Sequence, residues 1–362
     1  MTASVISNTI IFLRPEILAA VMAATAGSFL VCRFAISRSW LQNRVVARSS
    51  HNVPTSRAGG LAIMGAFVAV ALCLSLVSGI PDANGMALVI FSTGAALLGL
   101  ADDLWSPSPL IKFAGQTVLA IAATLVVGQV NTLPLPLLGA VPLGAFGFLI
   151  TVIWIVAFTN VFNFMDGLNG IAGGCAVVAL LAMAIACAGS SQAGLSALCL
   201  IAAAATCGFL LLNVPHGKIF LGDTGSHGLG FLLAVLAVSA GGIQGSPGSV
   251  DAVFLPIIFL PFILDVTVTL ANRALRCEKL HQAHKEHIYQ RLNQRGMSHI
   301  QVASIYVGLC TISAVLAFVT QRLDPGLKFL APLALTCFFL AAALVILSGK
   351  NSLEEQSGRA GD

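Results

Sequence analysis

Eleven runs of mostly apolar residues, each close to the length that crosses a bilayer, dominate this 362-residue chain. A helix rises about 1.5 Å per residue, so roughly 20 residues cover the hydrocarbon core. With Gly, Pro and Asn clusters and charged residues as boundaries, the runs fall near 12–32, 59–79, 85–101, 110–129, 144–163, 168–188, 193–212, 226–244, 251–271, 300–320 and 328–348. Arg14-Pro15-Glu16 interrupts the first run, and Pro256 and Pro261 break the ninth. Hydrophobic residues make up 57% of the chain and Asp, Glu, Lys and Arg only 9%. An ordinary soluble domain carries about 25% charged residues. The mean hydropathy is +0.95. A globular domain cannot hide that much apolar surface behind a charged shell. The expectation is an all-α, polytopic integral membrane protein with about eleven spans. It forms a single domain over 1–350, followed by a short polar tail at 351–362. A soluble enzyme, a disordered chain and a DNA-binding domain are excluded.

Eleven spans put the two termini on opposite sides, so basic residues choose the orientation. One side collects Arg33, Arg38, Arg44, Arg48, Arg57, Lys112, Lys218, Arg273, Arg276, Lys279, Lys285, Arg291, Arg295, Lys350 and Arg359. The other receives Arg14, Arg322 and Lys328. The richer side is expected to be cytoplasmic, with the N-terminus out and the C-terminus in. The N-terminus has no basic region ahead of its apolar run, so a cleaved signal peptide is not expected. Nine cysteines, eight of them in apolar stretches and none in a C-x-x-C, read as small buried hydrophobes.

The acids gather on the basic side. Asp102-Asp103 end the third span, Asp166 ends the fifth within Asn160-x-x-Asn163-x-x-Asp166-Gly167-Leu-Asn169, and Asp223 opens the eighth in Gly222-Asp223-Thr-Gly225-Ser226. Carboxylates at membrane depth are costly unless paired, hydrated or bound to a cation. Taken singly, each reads equally well as a helix cap. Converging on one face, they point to a divalent-cation site of hard oxygen ligands. On a helix, Asn160, Asn163 and Asp166 would share one face. The free N–H groups of the 222–226 turn would hold a phosphate beside an Asp-bound metal. The chain has no G-x-x-x-x-G-K-[ST], which excludes a P-loop enzyme. Metal and diphosphate chemistry at a membrane surface suggests phosphoryl transfer involving a lipid. In the last basic loop His281, His284 and His287 are spaced i, i+3, i+6. No fourth ligand of zinc spacing accompanies them, and a surface for the anionic groups of a nucleotide sugar suits them better. A solvated positive loop is the plainer alternative. Asp265 interrupts the ninth span.

Together these motifs resemble the polyprenyl-phosphate N-acetylhexosamine-1-phosphate transferases (glycosyltransferase family 4), from about residue 45 to 320. The similarity takes in Pro54-Thr-Ser-Arg57-Ala-Gly59-Gly60, Asp102-Asp103, the Asn160–Gly167 motif, Asn213, Phe220-Leu-Gly-Asp223-Thr-Gly-Ser226 and the His287 loop, in order. The resemblance implies transfer of a UDP-activated N-acetylhexosamine 1-phosphate to undecaprenyl phosphate, with release of UMP, at the cytoplasmic face of a bacterial inner membrane. It implies Mg²⁺, with Mn²⁺ as the alternative cation, held by Asp223 and Asn163. It makes Asp102 and Asp103 catalytic, and assigns Asp166, Gly167, Asn169, Asn213, Phe220, His287 and Arg57 to the nucleotide and sugar, with Phe220 stacking on uracil. Its partners are the membrane, UDP-N-acetylhexosamine and undecaprenyl phosphate. It leaves room for a homodimer and none for a nucleic acid.

The chain departs from the family pattern in three places. Asn52-Val53 stand where parts of the family have Lys, a charge Arg57 would supply. Ser106 ends the DDxxD form, and His287-Ile-Tyr289-Gln290 replaces H-x-H-H. The last change resembles the O-antigen-initiating branch, which implies a deoxy sugar such as UDP-N-acetylfucosamine or UDP-N-acetylquinovosamine. The alternatives are phospho-MurNAc-pentapeptide transfer in peptidoglycan synthesis, a transporter built around Asp265, and a non-catalytic scaffold.

Overall fold

In lipid, backbone N–H and C=O groups have no water to bond to, so a spanning segment must satisfy them internally as a helix. The computed structural model, which describes residues 10–42, 55–135, 138–241, 250–279, 284–324 and 326–348, obeys that rule. Its helices are α1 (Pro15–Ser37), α2 (Gly59–Ser78), α3 (Ala83–Trp105), α4 (Pro109–Val127), α5 (Phe146–Phe164), α6 (Ile171–Gly189), α7 (Ala193–Asn213), α8 (Gly222–Gly241), α9 (Phe254–Ile258), α10 (Leu260–Leu275), α11 (Ile288–Gln294), α12 (His299–Gln321) and α13 (Leu330–Ser348). Between α4 and α5 lies a short antiparallel hairpin of β1 (Thr132–Leu135) and β2 (Gly139–Pro142) that the apolar pattern did not announce.

Among the described residues, nine helices are long and apolar enough to cross a membrane, against the eleven runs expected. The ninth run is split into α9 and α10. Phe259 ends the first piece, and Pro261, which has no N–H to offer, opens the second. In α13 the apolar stretch covers only Pro332–Leu347. The first span also shifts. Arg14 sits just before the helix and Pro15 takes its first position, where a missing N–H costs nothing. Arg33 therefore belongs to α1, its guanidinium 5.9 Å from the Phe29 ring centroid. The expected tail at 351–362 lies outside the described residues, as do Arg44, Arg48, Asn52, Val53, Pro54, His281 and Lys350.

Helix α8 is the axis. It is buried around almost its whole circumference and packs against α3, α5 and α2. The Ala-rich pair α6 and α7 packs closely, as small side chains allow in membrane bundles. One continuous core runs from Ile17 to Ala317. The outer faces carry Leu76, Val77, Leu125, Val126 and Leu344, all exposed; such residues are costly in water and at home against lipid.

Glycines set how closely the central helices approach. A Cβ on Gly99 of α3 would sit 2.1 Å from the Asp223 carbonyl oxygen, and one on Gly60 of α2 would sit 2.0 Å from the Gly225 nitrogen. Only hydrogen fits at either position, so the C-terminal end of α3 and the N-terminal ends of α2 and α8 meet backbone to backbone.

Candidate active site

The approach just described gathers the polar motifs of the sequence at one end of the bundle. A β-bridge pairs Ser56 with Ile219, and Phe220 N–H donates to the Ser56 carbonyl at 2.8 Å. The N–H groups of Gly59 and Gly60 return to the carbonyls of Phe220 and Leu221 at 3.0 and 2.7 Å. This short zipper carries Arg57 to the start of α8. Gly222 enters the helix at φ +72, a left-handed conformation that glycine adopts without strain.

The first turn of α8 is capped from α3. Asp103 accepts the N–H of Asp223 at 3.1 Å, the N–H of Thr224 at 2.9 Å and the Thr224 hydroxyl at 2.8 Å. The expectation that these N–H groups are free to cradle a phosphate is therefore corrected. A carboxylate already occupies the N-terminus, where the helix dipole favours it. Arg57 stands 4.0 Å from the same carboxylate.

Its neighbour Asp102 has a different partner. Helix α3 stops at Ser106, and Pro109 starts α4, so the chain doubles back and brings Lys112 within 2.7 Å of Asp102. Asp102 is 8% exposed, so the ammonium offsets the cost of holding an ionised carboxylate there. In the sequence Lys112 reads only as a topological charge. The Pro-flanked turn between it and Asp102 is the signal that pairs them.

The Asn160–Asp166 motif does not present one helical face. Helix α5 ends at Phe164, and its two asparagines diverge. Asn160 donates to Gln116 of α4 at 2.7 Å. Asn163 reaches α8, donating to Asp223 and to the Ser226 hydroxyl, both at 2.8 Å. Asp166 lies beyond the helix. Its carboxyl is held well above the ordinary range by enclosure in protein, then by repulsion from Asp223 and Asp103, with Arg57 offsetting part of this.

Asn213, at the end of α7, is buried, and its amide is engaged at both ends. It accepts the Gly170 N–H and donates to the Ile219 carbonyl, each at 2.8 Å. It ties the 166–170 turn to the strand-like segment before α8. Asn169 is buried against Gly217, and Phe220 is half-buried beside the zipper.

Among the described residues of the histidine loop, His287 is anchored rather than solvated. His287 is 3% exposed, and its Nδ1 lies 3.1 Å from Asp265. The His284 ring centroid is 4.9 Å from that of His287. Burial pushes the His284 imidazole down to about 4, assisted by His287 and by the nearby Arg273 and Arg276, with Glu286 opposing. Arg273, Arg276 and Arg291 surround Glu286, and Arg273 also pairs with Glu278 at 2.9 Å. Besides Lys112, no role was read from the sequence for Thr224, Ser226 and Tyr289, which stand there only as members of motifs. Of the buried anchors, only Asp265 is visible in the sequence, as an acid inside an apolar run.

Does this end of the molecule suit a divalent cation? Among the described residues, no three His, Cys, Asp or Glu side chains stand together so as to hold a metal ion. Yet Asp103 and Asp223 both repel Asp166, and the cations nearby are Arg57 and the Lys112 already paired with Asp102. That excess of hard, negative oxygen fits a Mg²⁺ ion held by few protein ligands and completed by water and substrate phosphate. Asn163 turns its NH₂ toward Asp223, so its oxygen would face a cation there only after a half-turn of the amide.

Comparison with known proteins meets this geometry. The model of glycosyl transferase family 4 matches residues 85–241. The chain is similar to a probable undecaprenyl-phosphate N-acetylglucosaminyl 1-phosphate transferase of Bacillus subtilis, 34% identical over 264 residues, 72% of each chain. It is similar to a decaprenyl-phosphate N-acetylglucosaminephosphotransferase of Mycobacterium tuberculosis, 32% identical over 74% of this chain and 73% of that one. It also resembles a phospho-N-acetylmuramoyl-pentapeptide-transferase of Staphylococcus carnosus, 26% identical over 71% of this chain and 83% of the relative.

Proposed function

The chain belongs to glycosyl transferase family 4, a multi-pass membrane family, and from that membership and the site's geometry we propose its reaction. It is a polyprenyl-phosphate phosphosugar transferase. In the finer reading it moves a UDP-activated N-acetylhexosamine 1-phosphate, or a deoxy-N-acetylhexosamine 1-phosphate, to undecaprenyl phosphate and releases UMP. A lipid phosphate oxygen attacks the sugar-bearing phosphorus, the bond from that phosphorus to the bridging oxygen breaks, and the electron pair leaves with UMP. The product is a diphosphate-linked lipid that starts a cell-surface polysaccharide. The observation that carries this reading is the meeting of Asp102, Asp103, Asp166 and Asp223 with Arg57 and Lys112 at one end of the bundle.

Each residue then has a task. Asp102, beside Lys112, orients the lipid phosphate or takes its last proton, which leaves near neutral pH. Lys112 attracts the same anion. Asp103 keeps the first turn of α8 in place, and Arg57 faces the sugar diphosphate. Asp223 would hold Mg²⁺, with Asn163 as second ligand once its amide turns its oxygen toward the site. The cation, when bound, neutralises the diphosphate and the charge developing on departing UMP. Asp166, Gly167, Asn169 and Phe220 receive the uridine, and Asn213 braces that turn. His287 meets the sugar.

The basic-residue asymmetry supports a cytoplasmic position for this end, in a bacterial inner membrane. The transporter alternative rested on Asp265, which in the structure is saturated by hydrogen bonds from its own chain. The decisive experiment incubates purified protein with MgCl₂, undecaprenyl phosphate and a panel of UDP-sugars that includes UDP-MurNAc-pentapeptide. Release of UMP with an N-acetylhexosamine donor is expected. If only the pentapeptide donor works, the peptidoglycan reading replaces this one. If no donor works, or if Asp223→Ala keeps full activity, the reaction is wrong.

A further inference from the structure

One buried acid is left over from the chemistry at the site. Asp265 of α10 is fully buried and collects five donors. Its Oδ1 lies 3.1 Å from His287 Nδ1, 2.9 Å from the Ile288 N–H and 3.3 Å from the Thr269 hydroxyl. Its Oδ2 accepts the Tyr289 N–H at 3.1 Å and the Tyr306 hydroxyl. Three of the five donors belong to consecutive residues at the start of α11, so α10 holds the N-terminus of α11, where the histidine loop ends. Facing that carboxylate, Nδ1 is the ring nitrogen of His287 that Asp265 engages.

Tyr289 continues the chain of contacts in the opposite direction. Its hydroxyl donates to the Phe164 carbonyl at 3.0 Å and accepts from Gln290 Nε2 at 3.1 Å. It presses on the turn beyond α5, where a Cβ on Gly167 would lie 2.1 Å from the hydroxyl oxygen. Gln290 in turn accepts the His287 N–H at 3.2 Å. The two residues that replace imidazoles of the family pattern are thus committed to internal bonds, and they join the histidine loop to the Asp166–Asn169 turn.

We propose that Asp265 and Tyr289 are positioning residues for the sugar nucleotide. Neither touches substrate. Asp265 fixes the start of α11, and Tyr289 passes that placement to the 164–167 backbone, so His287 and Asp166 are held at a set separation. The inference rests on the reading that His287 and the 166–169 turn receive the UDP-sugar.

Tyr289→Phe deletes one hydroxyl and keeps the ring. The KM for UDP-sugar is expected to rise about five-fold, with kcat and the KM for undecaprenyl phosphate within about two-fold, the size of one lost hydrogen bond. Asp265→Asn should speed tryptic cleavage after Lys285 in the detergent-solubilised full chain by about five-fold or more, because a neutral amide cannot accept from all of those donors. A fall in kcat at unchanged KM, or no kinetic change in Tyr289→Phe, overturns the proposal. So does an unchanged cleavage rate in Asp265→Asn. The wild-type UMP assay separates the two failures: a wild-type chain with no activity removes the reading beneath the proposal, while the trypsin rate, which needs no activity, still judges the clamp.

Discussion

Asp103 accepts both the backbone N–H and the hydroxyl of Thr224, at 2.9 and 2.8 Å, across 121 residues of sequence. Two adjacent aspartates therefore do different work. Asp103 caps a helix that begins the site, while Asp102 faces Lys112.

Asp103→Asn leaves one acceptor oxygen where two carboxylate oxygens serve three donors, so part of the cap and its charge are lost. Loss of an N-cap costs about 1 kcal/mol, so thermal unfolding in detergent is expected to start several degrees lower, together with a fall in kcat. Activity lost with an unchanged unfolding midpoint would move Asp103 from support into the chemistry itself.

Lys112→Met leaves Asp102 without its cation. UMP release is expected to fall by about ten-fold or more, since removing one partner of a largely buried pair costs more than about 1.4 kcal/mol. Lys112→Arg should recover part of it by restoring the charge. Equal activity in all three chains would separate Lys112 from the function of Asp102.

Gly99→Ala tests the backbone contact between α3 and α8. The added methyl meets the Asp223 carbonyl at 2.1 Å, and overpacking of this kind costs about 1–3 kcal/mol. The expected result is a lower unfolding midpoint and loss of activity. Gly65→Ala, where a Cβ meets nothing within 4 Å, is the matched control and should leave the midpoint unchanged.

Binding of the proposed cation is expected to be linked to pH through Asp166. Its pKa in the folded chain lies above the ordinary value of 3.8, so the folded state binds the proton more tightly than the unfolded state does. Stability is then greatest below the unfolded pKa and is lost as pH rises through the folded one. In EDTA, the unfolding midpoint is expected to fall as pH rises from about 4 toward neutrality. Excess MgCl₂ should flatten that slope by replacing the proton with a cation. A slope that is the same with and without MgCl₂ would place the cation away from Asp166.

The apolar runs were legible because a bilayer demands about 20 such residues whatever surrounds them. Clustering of the acids was legible too, since alternating spans return each motif to the same end. The breaks were less so. Pro261 marked the ninth run, but whether it bends or divides a helix depends on what packs around Phe259. The face shared by Asn160, Asn163 and Asp166 failed because α5 ends at Phe164, and Asn160 instead finds Gln116 on α4.

The sequence by itself determined that this is a membrane bundle, where its charged residues lie along the chain, and which family's motifs it carries. Only the tertiary structure decided which carboxylate caps α8, which pairs with lysine, and that Asp265 anchors the histidine loop. The reason is the short reach of hydrogen bonds. Donors must stand within about 3 Å of an acceptor. For Asp103 those donors are the N–H groups of Asp223 and Thr224, which arrive on a helix 120 residues further along the chain. Composition can count carboxylates, but packing assigns them.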